Sequence, residues 1–214
     1  MSGNKYISVP VMKRLPRYHR FLGTLKEKGI VRISSSELSK QMGLTASQIR
    51  QDLNCFGGFG QQGYGYNVEM LHNEIGAILG VNNKKKAVLI GAGNLGQAIA
   101  RHMSFEKWGF ELEAVFDENP ALLGAEIRNL KVMSTDIAAD FCRKNPPSIA
   151  ILCVPNTEKV ANMIDELVEA GVRGFWNFTH IDIKAKHPDV FDENVHLSDS
   201  LVTLCYQLTS AQDE

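Results

Sequence analysis

Three glycines within six residues carry the sharpest chemical signal in the sequence: Gly91-Ala92-Gly93-Asn94-Leu95-Gly96. A turn with this spacing cradles a phosphate when a strand runs into it and a helix leaves it. Both flanks are present. Ala87-Val-Leu-Ile90 is a short apolar run suited to a buried strand, and residues 95–103 carry helical spacing. Gly91 then allows the tight turn, Gly93 lets a pyrophosphate approach the backbone, and Gly96 lets helix and strand pack closely. The helix N-terminus supplies N–H groups and a positive dipole for the phosphates. Asp117 follows Gly96 by 21 residues, at the end of the next predicted strand. A carboxylate there takes the ribose hydroxyls of an adenosine and repels a 2′-phosphate, which favours NADH and NAD⁺ over their phosphorylated counterparts. Two more segments follow predicted strands at the same sheet edge, Pro155-Asn156 and Asn177-Phe178-Thr179. Ligands of such folds lie outside the carboxyl ends of the strands, so these loops are candidates to flank the nicotinamide half.

A second constellation lies upstream. Residues 46–53 read Ala-Ser-Gln-Ile-Arg-Gln-Asp-Leu. With Ile49 and Leu53 turned inward, Ser47, Gln48, Arg50 and Gln51 lie largely outward. These side chains suit base edges: Arg for guanine, Gln for adenine, Ser for either. Lys13, Arg14, Arg17 and Arg20 cluster near the start of a first helix, where phosphate contacts would position the domain.

The elements that must hold these groups fall into two sets. Leu15, Tyr18, Leu22 and Leu25 give the first helix one apolar face, and Ser34-Ser-Ser-Glu37 offers caps for a second. Gly43-Leu-Thr45 makes a three-residue turn into the helix carrying Arg50. Phe56-Gly-Gly-Phe-Gly-Gln-Gln-Gly-Tyr-Gly-Tyr66 then holds five glycines in eleven residues, which suits a tight hairpin. Two helices, a short turn and a hairpin describe a winged helix-turn-helix, and Gln61, Gln62 and Tyr64 of the hairpin join the candidate DNA contacts. A last helix over 68–79 leads to a boundary at Gly80-Val-Asn-Asn-Lys-Lys-Lys86. Beyond it, strands over 87–90, 112–116, 148–154 and 174–178 alternate with helices over 95–103, 137–143 and 158–170. This alternation predicts a parallel α/β sheet covered on both faces. The expected division is a winged-helix DNA-binding domain over 1–80, a Rossmann-type NAD(H)-binding domain over 81–198 and a dimerisation helix over 199–214. That helix shows Leu201, Leu204 and Leu208 on one face, with little of its own domain left to pack on.

Charge follows the same division. Residues 1–80 carry 10 Lys and Arg against 5 Asp and Glu, while 81–214 carry 13 against 19. A basic segment joined to an acidic one predicts different partners. At 214 residues, 44% hydrophobic and 22% charged, the chain is long enough for two buried cores. No apolar run approaches the ~20 residues of a membrane span, and the first residues lack the apolar core of a secretory signal. Cys55, Cys142, Cys153 and Cys205 are scattered with no CxxC pair, which fits a reducing cytoplasm. Of the six histidines only His180 lies near the expected ligand edge, and there is no Ser-Tyr-x-x-x-Lys pattern or metal-ligand cluster. This argues against an enzyme. Three alternatives remain open from the residues: a small NAD-dependent oxidoreductase with an added N-terminal domain, a CoA-binding module, and a DNA-binding scaffold whose dinucleotide fold is empty.

With these motifs the chain resembles the Rex family of redox-sensing bacterial transcriptional repressors. The resemblance rests on Val9-Pro10, Ser34-Ser-Ser-Glu-Leu38, Gln48-Ile-Arg-Gln-Asp-Leu53, the glycine–aromatic run 56–66, the glycine fingerprint and Phe116-Asp117, and it runs from about residue 9 to 208. It implies a homodimer with the last helix swapped onto the partner. It also implies binding to palindromic operator DNA, release by NADH, and competition by NAD⁺ for the same pocket. Three departures stand out. The wing carries Gln61 and Gln62 where a basic tip is usual, and Gln51 stands where a basic residue is common. In some members an arginine matching Arg20 exchanges between a tyrosine and an aspartate, and those positions here are His102 and His196.

Overall fold

The computed structural model describes residues 7–55, 60–61 and 64–211, with the backbone alone at 60–61. The chain divides into two compact units, Met1–Asn82 and Asn83–Glu214.

In the first unit, α1 (Val9–Glu27) opens with proline in its first turn, where a missing N–H costs nothing. It buries Leu15, Tyr18, Leu22 and Leu25, the face anticipated from their spacing. After β1 (Arg32–Ile33), α2 (Ser35–Met42) starts at a reciprocal cap. Ser34 Oγ accepts from Glu37 N at 3.1 Å, and Glu37 Oε2 accepts from Ser34 N at 2.8 Å. Gly43, at φ 61°, ends α2 in the left-handed conformation. Thr45 then caps α3 (Ala46–Asn54) by accepting from Gln48 N at 3.1 Å. Strands β2 (Gly60–Gln61) and β3 (Gly65–Asn67) pair antiparallel, and β1 adds to β3 on the other side. The final helix α4 (Val68–Leu79) packs Leu71 and Ile75 into the same core as Leu22, Leu38, Ile49 and Leu53. This is the winged helix-turn-helix read from the sequence.

The second unit is built on β4 (Lys85–Ile90), α5 (Asn94–His102), β5 (Phe110–Asp117), β6 (Glu126–Ile127), β7 (Leu130–Ser134), α6 (Ala138–Lys144), β8 (Ile149–Leu152), α7 (Glu158–Glu169), β9 (Gly174–Asn177), α8 (Ile183–Lys186), β10 (Phe191–Asn194) and α9 (Leu197–Ser210). The sheet order is β10-β9-β8-β4-β5-β7-β6. All neighbours are parallel except the β6–β7 hairpin at one edge. Counted without β6, this is the doubly wound Rossmann order, with the direction of progression reversing between β4 and β8. Ala87 to Ile90 are all buried, as a central strand requires.

Several expectations are adjusted. Strands β1, β6, β7 and β10 and the short α8 were not foreseen. Phe191-Asp-Glu-Asn194 is polar and largely exposed, because an edge strand needs apolar residues on neither face. The strand expected over 148–154 is shorter, Ile149–Leu152, with Cys153 N donating a last bond to Ile90 O of β4 at 2.8 Å. The terminal helix begins at Leu197, two residues before its predicted start at 199. Among the described residues no helix is long and apolar enough to cross a membrane.

Candidate functional site

The glycine turn lies between β4 and α5, where the strand order reverses. Each glycine has its own reason. Gly91 sits at φ 98°, and a Cβ there would overlap the Cys153 carbonyl of the adjacent strand end. At Gly96 a Cβ would overlap the Gly91 carbonyl, so helix and turn could not close together. A Cβ at Gly93 meets nothing within 4 Å: its face opens into the crevice. No side chain caps the N-terminus of α5 and no acid lies in its first turn. Its N–H groups and dipole therefore remain available to an anion. Ala92 is buried under the turn, while Asn94 and Leu95 are exposed at the helix start.

Asp117 does more than the sequence suggested. Its Oδ2 accepts from Ala92 N at 2.6 Å and its Oδ1 from Asn119 N at 2.7 Å. The buried carboxylate thus ties the glycine turn to the end of β5. Each oxygen keeps a further lone pair, so the clamp leaves acceptors for ribose hydroxyls. The cavity in front has a volume of about 580 Å³, and Gly91, Gly93, Asp117, Glu118, Pro155 and Lys159 are among the residues lining it. That volume falls in the range of small-ligand and cofactor sites. Together, the open face of Gly93, the uncapped helix and the carboxylate at the strand end fit a dinucleotide without an extra phosphate. Cys153 also faces the cavity, and burial pushes its thiol up to about 12. It is therefore a neutral lining group and not a nucleophile.

The later loops divide. Pro155 lines the cavity, and Asn156 is exposed beside it. Asn177 and Thr179, read from the sequence as ligand contacts, are buried and committed to the turn itself. Asn177 Oδ1 accepts from Thr179 N and Oγ1 at 2.9 and 2.7 Å, and its Nδ2 donates to Ile181 O and Asn194 Oδ1, both at 2.8 Å. Their part is to hold the loop that presents Phe178, a half-buried ring packed edge-on to Trp176. His180 follows with φ 63° and stacks on His196, the residue that opens α9, at 4.4 Å between centroids. Their Nδ1 atoms also approach each other closely. Sequence reasoning missed Glu118, Asn119, Thr135 and Asp136 of the cavity wall. The first two directly follow Asp117 and were within reach of the strand-end rule; the others follow β7, which carried no clear pattern.

On the first unit, Arg50, Ser47 and Gln51 of α3 are exposed, and Arg50 Nη1 donates to Ser35 Oγ at 3.2 Å. Arg14, expected among the phosphate contacts, has another principal task. Its Nε and Nη2 donate to the two oxygens of buried Asp52, each at 2.7 Å. Tyr18 Oη and Gln48 Nε2 complete the set at 2.9 and 2.8 Å. Tyr64 is exposed, with the Arg32 guanidinium 5.7 Å from its ring centre. Gln61 belongs to β2, and Gln62 lies outside the described residues.

Burial opposes ionisation of Asp52, but the hydrogen bonds from Arg14, Gln48 and Tyr18 outweigh it and hold the carboxyl below the usual range. A carboxyl depressed by folding adds stability above its unfolded value, and this is lost as pH falls through the folded one. The N-terminal unit is expected to lose thermal stability below about pH 4. Asp52→Ala, which strands the Arg14 guanidinium beside the core, is expected to cost on the order of 3 kcal/mol at neutral pH. Thermal unfolding followed across pH checks both; an acid profile unchanged in Asp52→Asn would remove Asp52 as the cause.

The comparisons with known proteins agree with this geometry. Residues 6–54 match the family described as "Putative DNA-binding protein N-terminus", and residues 82–181 match "CoA binding domain". A curated protein of Clostridioides difficile (strain 630), named redox-sensing transcriptional repressor Rex, is 54% identical over 206 residues, covering 96% of this chain and 97% of its own. The chain belongs to the Rex family. Two solved Rex-like structures extend the match. RSP in complex with β-NADH shares 50% identity at a TM-score of 0.87, with 96% of each chain covered. RSP in complex with β-NAD⁺ and operator DNA shares 53% identity at a TM-score of 0.88, covering 97% of this chain and 94% of that one. The curated Rex relatives are named repressors, not enzymes.

Proposed function

We propose that this Rex-family protein is a cytoplasmic, homodimeric repressor that holds palindromic operator DNA and releases it when NADH binds, so that it reports the NADH/NAD⁺ ratio. The observation that carries the reading is one chain joining an α3 with an exposed polar face to a crevice with an uncapped helix, a glycine turn and Asp117. Relatives of the same build are crystallised with NADH, and with NAD⁺ and operator DNA. The adenosine halves of NADH and NAD⁺ are identical, so only groups near the nicotinamide can tell them apart. They differ there by one charge and by ring planarity. The loops at Asn156 and Phe178 are the candidates for that discrimination.

Release follows if NADH favours a dimer whose two α3 helices no longer match the half-site spacing. The effect is reciprocal: operator DNA weakens NADH binding by the factor that NADH weakens operator binding. CoA is the competing ligand, given the match of residues 82–181. Its ribose phosphate would meet the carboxylates Asp117, Glu118 and Asp136 of the cavity wall, which opposes it.

The test is a titration of NADH into the protein–operator complex at fixed salt, with NAD⁺ and CoA as controls. NADH is expected to weaken operator binding about 5- to 150-fold, and NAD⁺ far less. Equal release by both nucleotides, or release by CoA alone, would overturn the reading.

A further inference from the structure

The hydrogen-bond set around Asp52 reaches the DNA-facing surface through Gln48. Asp52 is 1% exposed and points back from α3 toward α1. Its Oδ2 takes Arg14 Nε and Tyr18 Oη; its Oδ1 takes Arg14 Nη2 and Gln48 Nε2. Four donors meet a carboxylate with about four lone-pair positions, so the group is saturated. Gln48 precedes Asp52 by one helical turn and is only half-buried, at the edge between the Asp52 face and the exposed side of α3.

An ionised carboxylate accepts and never donates. The Gln48 amide can therefore dock on Asp52 only through nitrogen. That settles the orientation of the amide by chemistry. With the N–H anti to the carbonyl spent on Asp52, the carbonyl oxygen and the syn N–H are left together on the opposite edge of the amide. Those two groups form an acceptor–donor pair. Adenine presents the complement in the major groove, N6–H₂ as donor and N7 as acceptor. Guanine presents two acceptors, O6 and N7, and would set one of them against the Gln48 oxygen.

We propose that Asp52 is a positioning residue for operator recognition: with Arg14 and Tyr18 behind it, it fixes the Gln48 amide so that α3 reads an adenine in each half-site. The inference rests on the operator-binding reading and adds to it the residue that holds the Gln48 amide in place. Gln48 is the base-reading group and touches the DNA; Asp52 acts only through it. Because the amide is already oriented in the free protein, little side-chain freedom is lost on binding. Arg50 does not belong to this set, since it donates to Ser35, and it reads a different position.

The experiment compares wild type, Gln48→Met, Asp52→Asn and the double variant at fixed salt. The duplexes come from a random-sequence selection and carry each of the four base pairs at every half-site position. Wild type is expected to prefer adenine at one position, with guanine there weakening binding about 5- to 150-fold. Gln48→Met removes that preference and leaves the other positions as they were. Asp52→Asn flattens the same position, and the double variant is no flatter than either single one. Arg50→Ala relaxes another position. A base-preference profile of Gln48→Met identical to wild type would overturn the proposal, as would an Asp52→Asn variant that weakens all sequences equally. Gln48→Met changes a half-exposed side chain of similar length, so its profile is decisive even if Asp52→Asn fails to fold. A wild-type protein that selects no palindromic duplex would overturn this inference together with the reading beneath it.

Discussion

Gly93→Val is expected to bind operator DNA as wild type does and to stay bound at the NADH concentration that releases wild type. The backbone at Gly93 has φ −68° and ψ −171°, a conformation open to any residue. A Cβ there meets no protein atom within 4 Å. The fold can therefore accept the side chain, and what it displaces is the ligand. Forcing branched carbons into a close contact costs about 1–3 kcal/mol, so NADH affinity should fall about 5- to 150-fold. Gly96→Ala is the opposite control. Its Cβ would overlap the Gly91 carbonyl, and loss of the whole second unit's stability is the expected result. Operator affinity measured across an NADH titration separates the cases. Release of Gly93→Val at the wild-type NADH concentration would mean that the pyrophosphate does not pass this glycine.

Deleting residues 199–214 is expected to yield monomers or insoluble protein. None of the 14 residues of α9 is buried, and Leu201, Leu204 and Leu208 stand at 63%, 50% and 60% exposure. A helix with a row of bare leucines is not stable facing water; its apolar face needs another surface. In the dimer proposed above, the partner supplies it. Two linked DNA-binding units gain affinity because the second contact is intramolecular, and losing the link costs on the order of 10²- to 10⁴-fold. Sedimentation and operator titration of the truncated chain check both effects. A soluble dimer with unchanged operator affinity would remove α9 from the interface.

What the linear chain determined by itself are the features with a local physical cause. The apolar spacing Leu15–Tyr18–Leu22–Leu25 made α1 legible, because one helical face must be buried. The cap at Ser34 and Glu37, the left-handed Gly43, and the strand–glycine–helix order around Gly91 were legible for the same reason: turns and helix ends demand particular residues. Edge strands such as Phe191–Asn194 were not legible, since their stability comes from the neighbouring strand and their residues carry no pattern of their own.

Only the tertiary structure assigned the polar side chains. Asn177, Thr179 and Arg14 have types that suit a ligand, and in each case the fold engages them in contacts of its own. Asp117 gained a second partner in Ala92 N, 25 residues before it, and Asp52 one in Arg14, 38 residues before it. Hydrogen bonding is short-ranged and directional, so whether a donor faces solvent, a ligand or a buried carboxylate depends on which distant segment the fold sets within 3 Å of it. Spacing along the chain says which groups can do chemistry; packing decides which of them are left available to do it.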